Sequence, residues 1–122
     1  MTDIRKKEFD VMAASDMCVD LVVRGNVRPQ FTQVEQLVDD YHLDLGGSAN
    51  IFAAQIAKLG GIAGVVGHVG QDMFGQFVRD QLIANGVRTD HVSVRADIKT
   101  GLGTHLAEDG DRAILTYAGT ID

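Results

Sequence analysis

The sequence contains one cysteine, one proline, no tryptophan and no long apolar run. A single cysteine, Cys18, allows no disulfide within the chain, and no CxxC motif or Cys/His cluster is present, so a reducing, cytoplasmic location is expected. No apolar segment approaches the roughly 20 residues that a membrane-spanning helix needs. Residues 1–8 are predicted to be a flexible lead-in, because the basic residues at 5–7 are not followed by the apolar core of a signal peptide.

Basic residues are also scarce. The chain has 11 of them against 17 acidic residues, which gives a net charge of −6 over 122 residues. An acidic chain without a basic stripe argues against nucleic acid and against anionic membranes as partners. The four histidines are scattered without an i, i+4 pair, so no metal site is expected.

The chain is organised around residues 46–60, GGSANIFAAQIAKLG. Gly46 and Gly47 can adopt positive φ and allow close approach to the main chain, and Ser48 is a candidate helix N-cap. Apolar residues at i, i+4 and i+7, widened by two alanines, predict a helix that buries this face: Phe52, Ile56 and Leu59, with Ala53 and Ala57. Unpaired amides at its N-terminus suit a hydroxylated or anionic small molecule, and the alternative is an ordinary loop-to-helix junction.

Patterns on either side predict further elements. Buried or half-buried strands are expected at residues 9–14, 18–24, 41–45, 62–66 and 92–94, and Asp72 is the candidate N-cap of a second helix that ends at Asn85-Gly86. Residues 104–107 and 112–117 flank the turn at 108–111 and read as a hairpin. The alternation of strands and helices predicts an α/β fold with a parallel sheet.

Two strand pairs do not fit this alternation of strands and helices. Residues 18–45 and 103–118 alternate in polarity, which predicts a small antiparallel flap attached to the α/β body. A cleft between flap and body, at the carboxyl ends of the parallel strands, is the expected ligand site.

Several landmarks follow one another along the chain in a fixed order. They are Gly46, Gly47, Ala53, Gly60, Gly70, Asp72 and Gly75, then residues 85–87 and the DGDR turn at 109–112. In this order and spacing, residues 9–122 resemble the N-terminal half of the PfkB-type carbohydrate kinases, the ribokinase-like family. The resemblance implies a ribokinase-like fold and a flap that serves as a lid over a sugar.

The same resemblance implies transfer of a phosphoryl group from ATP, with magnesium, to a sugar or related alcohol. Asp20 matches the lid aspartate that accepts hydrogen bonds from sugar hydroxyls, a role that suits a carboxylate. Gly46 and Gly47 match the backbone that lies against the sugar. The alternative for Asp20 is a solvated acid on an edge strand.

Two positions depart from the family pattern. The sugar-binding asparagine of the family aligns with Ile51, whereas the asparagine of this chain is its neighbour Asn50. Adjacent residues on a helix differ by about 100°, so either the first turn is re-registered to bring Asn50 to the substrate or the substrate is read differently. Cys18 also stands where ribokinase has an asparagine, which puts a ribose-type substrate in question.

The family carries its catalytic aspartate, its anion hole and its ATP site in the C-terminal half. No P-loop or dinucleotide fingerprint occurs in this sequence. We therefore expect a substrate-side fragment of a sugar kinase that is inactive alone; the alternative is a non-catalytic sugar-binding or dimerisation module. An uncovered half-sheet and the apolar residues of the lid also predict a homodimer or higher oligomer.

Overall fold

The computed structural model describes residues 6–122 of the chain. The predicted lead-in at 1–8 therefore falls largely outside the described residues, and residues 6–8 belong to no helix or strand. The elements in chain order are β1 (Val11–Ala14), β2 (Cys18–Arg24), β3 (Asp40–Leu45), α1 (Ser48–Lys58), β4 (Ala63–Gly70), α2 (Met73–Ala84), β5 (Arg88–Arg95), β6 (Gly101–Glu108), β7 (Asp111–Tyr117) and a 3₁₀ turn at Gly119–Ile121.

Strands β1, β4 and β5 form a parallel sheet in the order β1-β4-β5, which we call the body together with α1 and α2. The two helices follow the pattern of crossover connections in an α/β fold. The α/β class and the parallel sheet predicted from the sequence are confirmed. The strands are longer or shorter than predicted at their ends; β5, for example, runs over Arg88–Arg95.

The core lies between one face of the body sheet and the two helices. Val65 and Val69 of β4 and Val78 and Leu82 of α2 are fully buried there. The opposite face of the body sheet is only partly covered, because Val66 is 44% exposed. The body is therefore a sheet with one well-packed face.

Helix α1 buries only part of the face that its apolar periodicity predicts. Ala53 and Ala54 are buried, and Ile56 and Ala57 are partly buried against the core. Phe52 and Leu59, in contrast, are 51% and 85% exposed. Small side chains let the helix lie close to the sheet, and this close packing outweighs the larger apolar residues one position away. The predicted buried face is therefore confirmed at Ala53, Ile56 and Ala57 and wrong at Phe52 and Leu59.

Strands β3, β2, β6 and β7 form a second sheet in that order, which we call the lid. The outer pairs are antiparallel as predicted, and the hairpin between β6 and β7 is confirmed. The central pair, β2 with β6, is parallel, so the lid is a mixed sheet and not a purely antiparallel one. As a result β2 is an interior strand, and the alternative of Asp20 as an edge-strand acid is excluded.

The lid meets the body at the starts of β2 and β6. The Thr120 hydroxyl donates to the Met17 carbonyl at 2.8 Å and accepts from the Gly101 amide at 3.0 Å. Thr120 is 2% exposed, so these bonds are shielded from water. They join the segment between β1 and β2 to the first residue of β6. Over residues 6–122, no helix has the length and apolar character needed to cross a bilayer.

Candidate functional site

The glycine pair joins the end of β3 to helix α1 and packs against the start of β2. The Gly46 amide donates to the Cys18 carbonyl at 2.9 Å. A Cβ on Gly46 would lie 2.6 Å from the Cys18 sulfur and 3.0 Å from Asp20 Oδ1. Gly47 has φ +85°, and a Cβ there would lie 2.3 Å from the Asp16 carbonyl oxygen. Both positions therefore require glycine, because the chain itself occupies the space that a side chain would take.

Gly47 is also the N-cap residue of α1, with no side-chain hydrogen bond at the cap. Ser48, predicted as the N-cap, is instead the first helical residue, so that prediction was wrong. The extended backbone of β3 passes directly into the glycine turn, which leaves Ser48 one residue too late to cap the helix.

Asn50 lies beneath the glycine turn. Its side chain is fully buried, its amide donates to the Gly46 carbonyl at 3.1 Å, and its Oδ1 accepts from the Ser15 hydroxyl at 2.6 Å. Ile51, in contrast, is 48% exposed. The helix thus turns the asparagine inward and the isoleucine outward. The polar atoms of Asn50 are used within the chain, where they tie the end of β1 to the turn.

Asp20 stands on β2 beside this turn. Its side chain is 27% exposed, and its Oδ1 lies 3.2 Å from Nε2 of His105 on β6. A Cβ on Gly103, the β6 residue paired with Asp20, would lie 2.9 Å from Oδ1. The structure therefore brings Asp20 and Gly46 together as predicted from the sequence, and adds a second glycine and an imidazole around the carboxylate.

A cleft of about 600 Å³ runs along the lid face that carries Asp20. The side chains of this face come from alternate residues of all four lid strands, as the registers require. They include Asp20, Val22, Arg24, His42, Asp44, His105 and Arg112. We call this the polar face of the lid. It offers both carboxylate acceptors and N–H donors to a ligand.

Carboxylates and imidazoles alternate on the polar face. Asp20 and Asp44 are paired directly across β2 and β3, and like charges in such a pair repel. Each faces a histidine: Asp20 lies near His105, and Asp44 Oδ2 lies 2.9 Å from Nε2 of His42. Within residues 6–122, no group of three potential ligands is arranged to hold a metal ion.

Cys18 lies at the foot of the polar face and is buried. Burial disfavours the thiolate, and the nearby charges of Asp20 and Asp16 add to this effect. Together they raise the pKa of the Cys18 thiol to about 11, although a hydrogen bond from the Gly47 amide opposes the shift. Cys18 is therefore a neutral thiol at physiological pH, and it contributes shape to the site but no nucleophile.

Sequence reasoning did not single out His105, which the structure places against Asp20. The contact depends on the parallel register of β2 with β6, which pairs Asp20 with Gly103 and Val22 with His105. No local signal in the sequence indicates that pairing. Gly103, the third residue of β6, was the available hint, because a strand glycine often marks close approach of another group.

The family model for pfkB family carbohydrate kinases matches residues 10–122. The chain is 32% identical to the ribokinase of Bacillus subtilis over 104 residues, which cover 85% of this chain and 35% of that protein. It is 31% identical to the 5-dehydro-2-deoxygluconokinase of Geobacillus thermodenitrificans over 118 residues, which cover 95% of this chain and 34% of that protein.

Solved structures give the same result. The Arabidopsis thaliana ribokinase complexed with ribose and ATP superimposes with a TM-score of 0.79 at 25% identity, over 89% of this chain and 36% of that chain. The fructokinase of Xylella fastidiosa with bound ATP gives a TM-score of 0.73 at 27% identity, over 90% and 34%. The chain thus spans about a third of the length of these relatives. Its sequence and its fold together show that it belongs to the pfkB family of carbohydrate kinases.

Proposed function

We propose that this chain is the substrate-binding part of an ATP-dependent sugar kinase, and that the polar face of its lid holds the sugar. The observation that carries the proposal is the position of Asp20, a half-buried carboxylate that lines the 600 Å³ cleft beside the Gly46-Gly47 turn. A carboxylate accepts hydrogen bonds from two hydroxyls at once, and such bonds are stronger than bonds between neutral groups.

The roles of the predicted residues follow from their geometry. Asp20 accepts from sugar hydroxyls, and the main chain of Gly46 and Gly47 forms the floor beside it. Asn50 supports that floor from beneath through its bond to the Gly46 carbonyl. Its contribution to binding is therefore indirect, through the position of the turn. The matched relatives include a ribokinase and a 5-dehydro-2-deoxygluconokinase, so the candidate substrates are ribose-like sugars and sugar-derived keto acids.

The cofactor proposal rests on the family. Neighbouring structures hold ATP or ADP, and we propose ATP with magnesium as the phosphoryl donor of the complete enzyme. Phosphoryl transfer depends on positioned charges around the γ-phosphate as well as on a positioned acceptor. This chain corresponds to about a third of its relatives' length, so we expect it to bind sugar without phosphorylating it. A cytoplasmic location stays a prediction.

The test compares Asp20→Asn with Asp44→Asn in titrations with D-ribose, D-fructose and 5-dehydro-2-deoxy-D-gluconate, followed by calorimetry. Both changes keep the shape and remove one charge from the polar face. Loss of a charged acceptor should weaken binding of the preferred sugar about tenfold or more in Asp20→Asn. It should change binding less than about threefold in Asp44→Asn, whose carboxylate is 60% exposed. Equal affinity of Asp20→Asn and wild type would contradict the assignment of Asp20.

A coupled-enzyme assay of ADP release tests the second part of the proposal. Pure 122-residue protein with ATP, magnesium and sugar should release no more ADP than the control without sugar. Sugar-dependent release above that control would show that the chain alone carries out phosphoryl transfer.

We further propose that two copies of the chain associate through the other face of the lid, its apolar face. Tyr41, Leu43 and Leu115 on this face are 69%, 37% and 64% exposed. The registers place Leu43, Leu21, Thr104 and Leu115 side by side across the sheet. A two-fold dimer would bury this patch against its own copy, at roughly 1.5–3 kcal/mol per large apolar side chain.

Sedimentation equilibrium of Leu115→Glu and Ile114→Glu tests the dimer. The two residues are adjacent on β7, but Ile114 points to the polar face, so the second variant controls for added charge. We expect wild type and Ile114→Glu to sediment as dimers at micromolar concentration and Leu115→Glu as a monomer. A wild-type species at the 13.1 kDa monomer mass would contradict the proposal.

A further inference from the structure

The carboxylate of Asp20 is confined on several sides. A Cβ on Gly46 or on Gly103 would come within 3.0 Å and 2.9 Å of its Oδ1. These two glycines lie on opposite neighbours of β2, the turn after β3 and the strand β6. The carboxylate therefore occupies a slot that only these two glycines leave open. A slot limits where the group can go but does not set the direction of its oxygens.

His105 supplies a polar contact to the same oxygen. Its Nε2 lies 3.2 Å from Asp20 Oδ1, within ion-pair distance, and its side chain is only 14% exposed. A Cβ on Gly103 would also lie 3.2 Å from Nε2, so the imidazole reaches over the glycine to the carboxylate. A contact made at Oδ1 leaves Oδ2 as the oxygen that is available to a ligand in the cleft.

The second histidine of the polar face provides a contrast. His42 contacts Asp44, two residues away on the same strand, and these side chains are 39% and 60% exposed. Exposed pairs of this kind contribute little, because water competes for both groups. The His105–Asp20 contact joins two strands and is largely shielded from water, so it has more influence on the position of the carboxylate.

We propose that His105 is a positioning residue for sugar binding: it holds Oδ1 of Asp20 so that Oδ2 is directed at the substrate hydroxyls. The proposal rests on the proposed function, since it concerns how Asp20 acts in that site. His105 works through Asp20, and the two glycines at 46 and 103 provide the space for both groups. The same lid sheet therefore supplies both the acceptor for the sugar and the group that orients it.

The test uses His105→Leu, His105→Gln and, as a matched control, His91→Leu at an exposed position of the body strand β5, with D-ribose, D-fructose and 5-dehydro-2-deoxy-D-gluconate as probes. His105→Leu should lower the affinity for the preferred sugar about tenfold, because the carboxylate loses its partner. His105→Gln should recover most of this loss, since its amide NH₂ can take the place of Nε2–H. His91→Leu should stay within about twofold of wild type. Circular dichroism checks that each variant is folded.

Adding Asp20→Ala to each background distinguishes positioning from direct contact. If His105 acts through Asp20, His105→Leu should have no further effect on affinity once the carboxylate is gone. A loss that persists in the Asp20→Ala background, or unchanged affinity in His105→Leu alone, would overturn the role of His105 while the proposed function stands. Failure of the wild-type protein to bind any of the three sugars would overturn the proposed function, and this proposal with it.

Discussion

The body and the lid of this protein use their side chains in opposite ways. In the body, Val65, Val69 and Leu82 are fully buried between sheet and helices. In the lid, every residue of β7 is exposed, and most of β3 is exposed as well. The comparison suggests a division of labour: packing in the body carries the stability, while the lid carries polar groups whose exposure suits them to bind a ligand.

Between the two lies a joint built from backbone contacts and buried polar groups. The glycine turn packs on the start of β2, Asn50 bonds to it from below, and Thr120 bridges to β6. This joint lies next to Asp20, so the position of the proposed sugar acceptor depends on the body even though Asp20 is part of the lid. The division of labour is therefore testable on each side and at the joint.

The sharpest test of the division removes one apolar side chain from each region. Leu82→Ala in the body should lower the free energy of unfolding by about 2–5 kcal/mol, because it opens a cavity in the core. Ile114→Ala in the lid, where the side chain is 45% exposed, should change it by less than about 0.5 kcal/mol. Urea unfolding followed by circular dichroism measures both. Comparable losses would show that the lid shares the core's role.

At the joint, we expect Gly47→Ala to destabilise the protein by about 2–4 kcal/mol. Its Cβ would meet the Asp16 carbonyl oxygen at 2.3 Å, so the backbone must shift in addition to holding positive φ. Gly60→Ala is the matched control: φ there is +89°, but nothing lies within 4 Å of the added Cβ. It should cost about 1 kcal/mol. Equal losses in the free energy of unfolding would show that the positive φ, and not the contact with Asp16, is what requires glycine at position 47.

A smaller effect is expected at the second contact between body and lid. Asp72 caps α2 through the Gly75 amide at 2.8 Å and also accepts from the Thr100 hydroxyl at 2.7 Å, just before β6. Asp72→Ala should lower the free energy of unfolding at pH 7 by about 1–2 kcal/mol. Asp80→Ala, at an exposed position on the same helix, should leave it nearly unchanged.

The pH dependence of the Asp72 effect has a definite sign. Burial alone would raise the pKa of the Asp72 carboxyl, but hydrogen bonds from Thr100, Gly75 and Phe74 outweigh burial and lower it below 3.8. The stability gained from Asp72 is therefore complete above that pH and is lost as the pH falls through the lowered pKa. Unfolding midpoints of wild type and Asp72→Ala should differ at pH 7 and converge in strong acid. A difference that persists unchanged there would contradict an ionic role.

The features that could be predicted from the sequence are those that depend on neighbouring residues in the chain. The Asp72 cap, the Asn85-Gly86 stop and the hairpin around Asp109-Gly110 each depend on a few adjacent residues, and all three are confirmed. That Asp20 lies close to Gly46 was expected from the family resemblance.

The predictions that failed concern contacts between distant segments. Alternating strands indicate a half-buried sheet but not which strands pair, so the parallel pairing of β2 with β6 was missed, and with it His105. Helix α1 has apolar residues on two neighbouring faces, and its periodicity could not show that the sheet would take the face with Asn50, Ala53 and Ala54. The face that packs on the sheet is the one whose small side chains allow the closest approach, and this approach exists only in the folded body.

The parallel pairing at the centre of the lid also has a consequence for the order of folding. Cys18 pairs with Gly101, so the two strands are about 80 residues apart in the chain, and both helices and two body strands lie between them. Bringing such distant segments together carries a large loop-closure cost until the intervening chain is compact. The body should therefore fold first, and the lid, with its proposed sugar site, should close in a later and slower step.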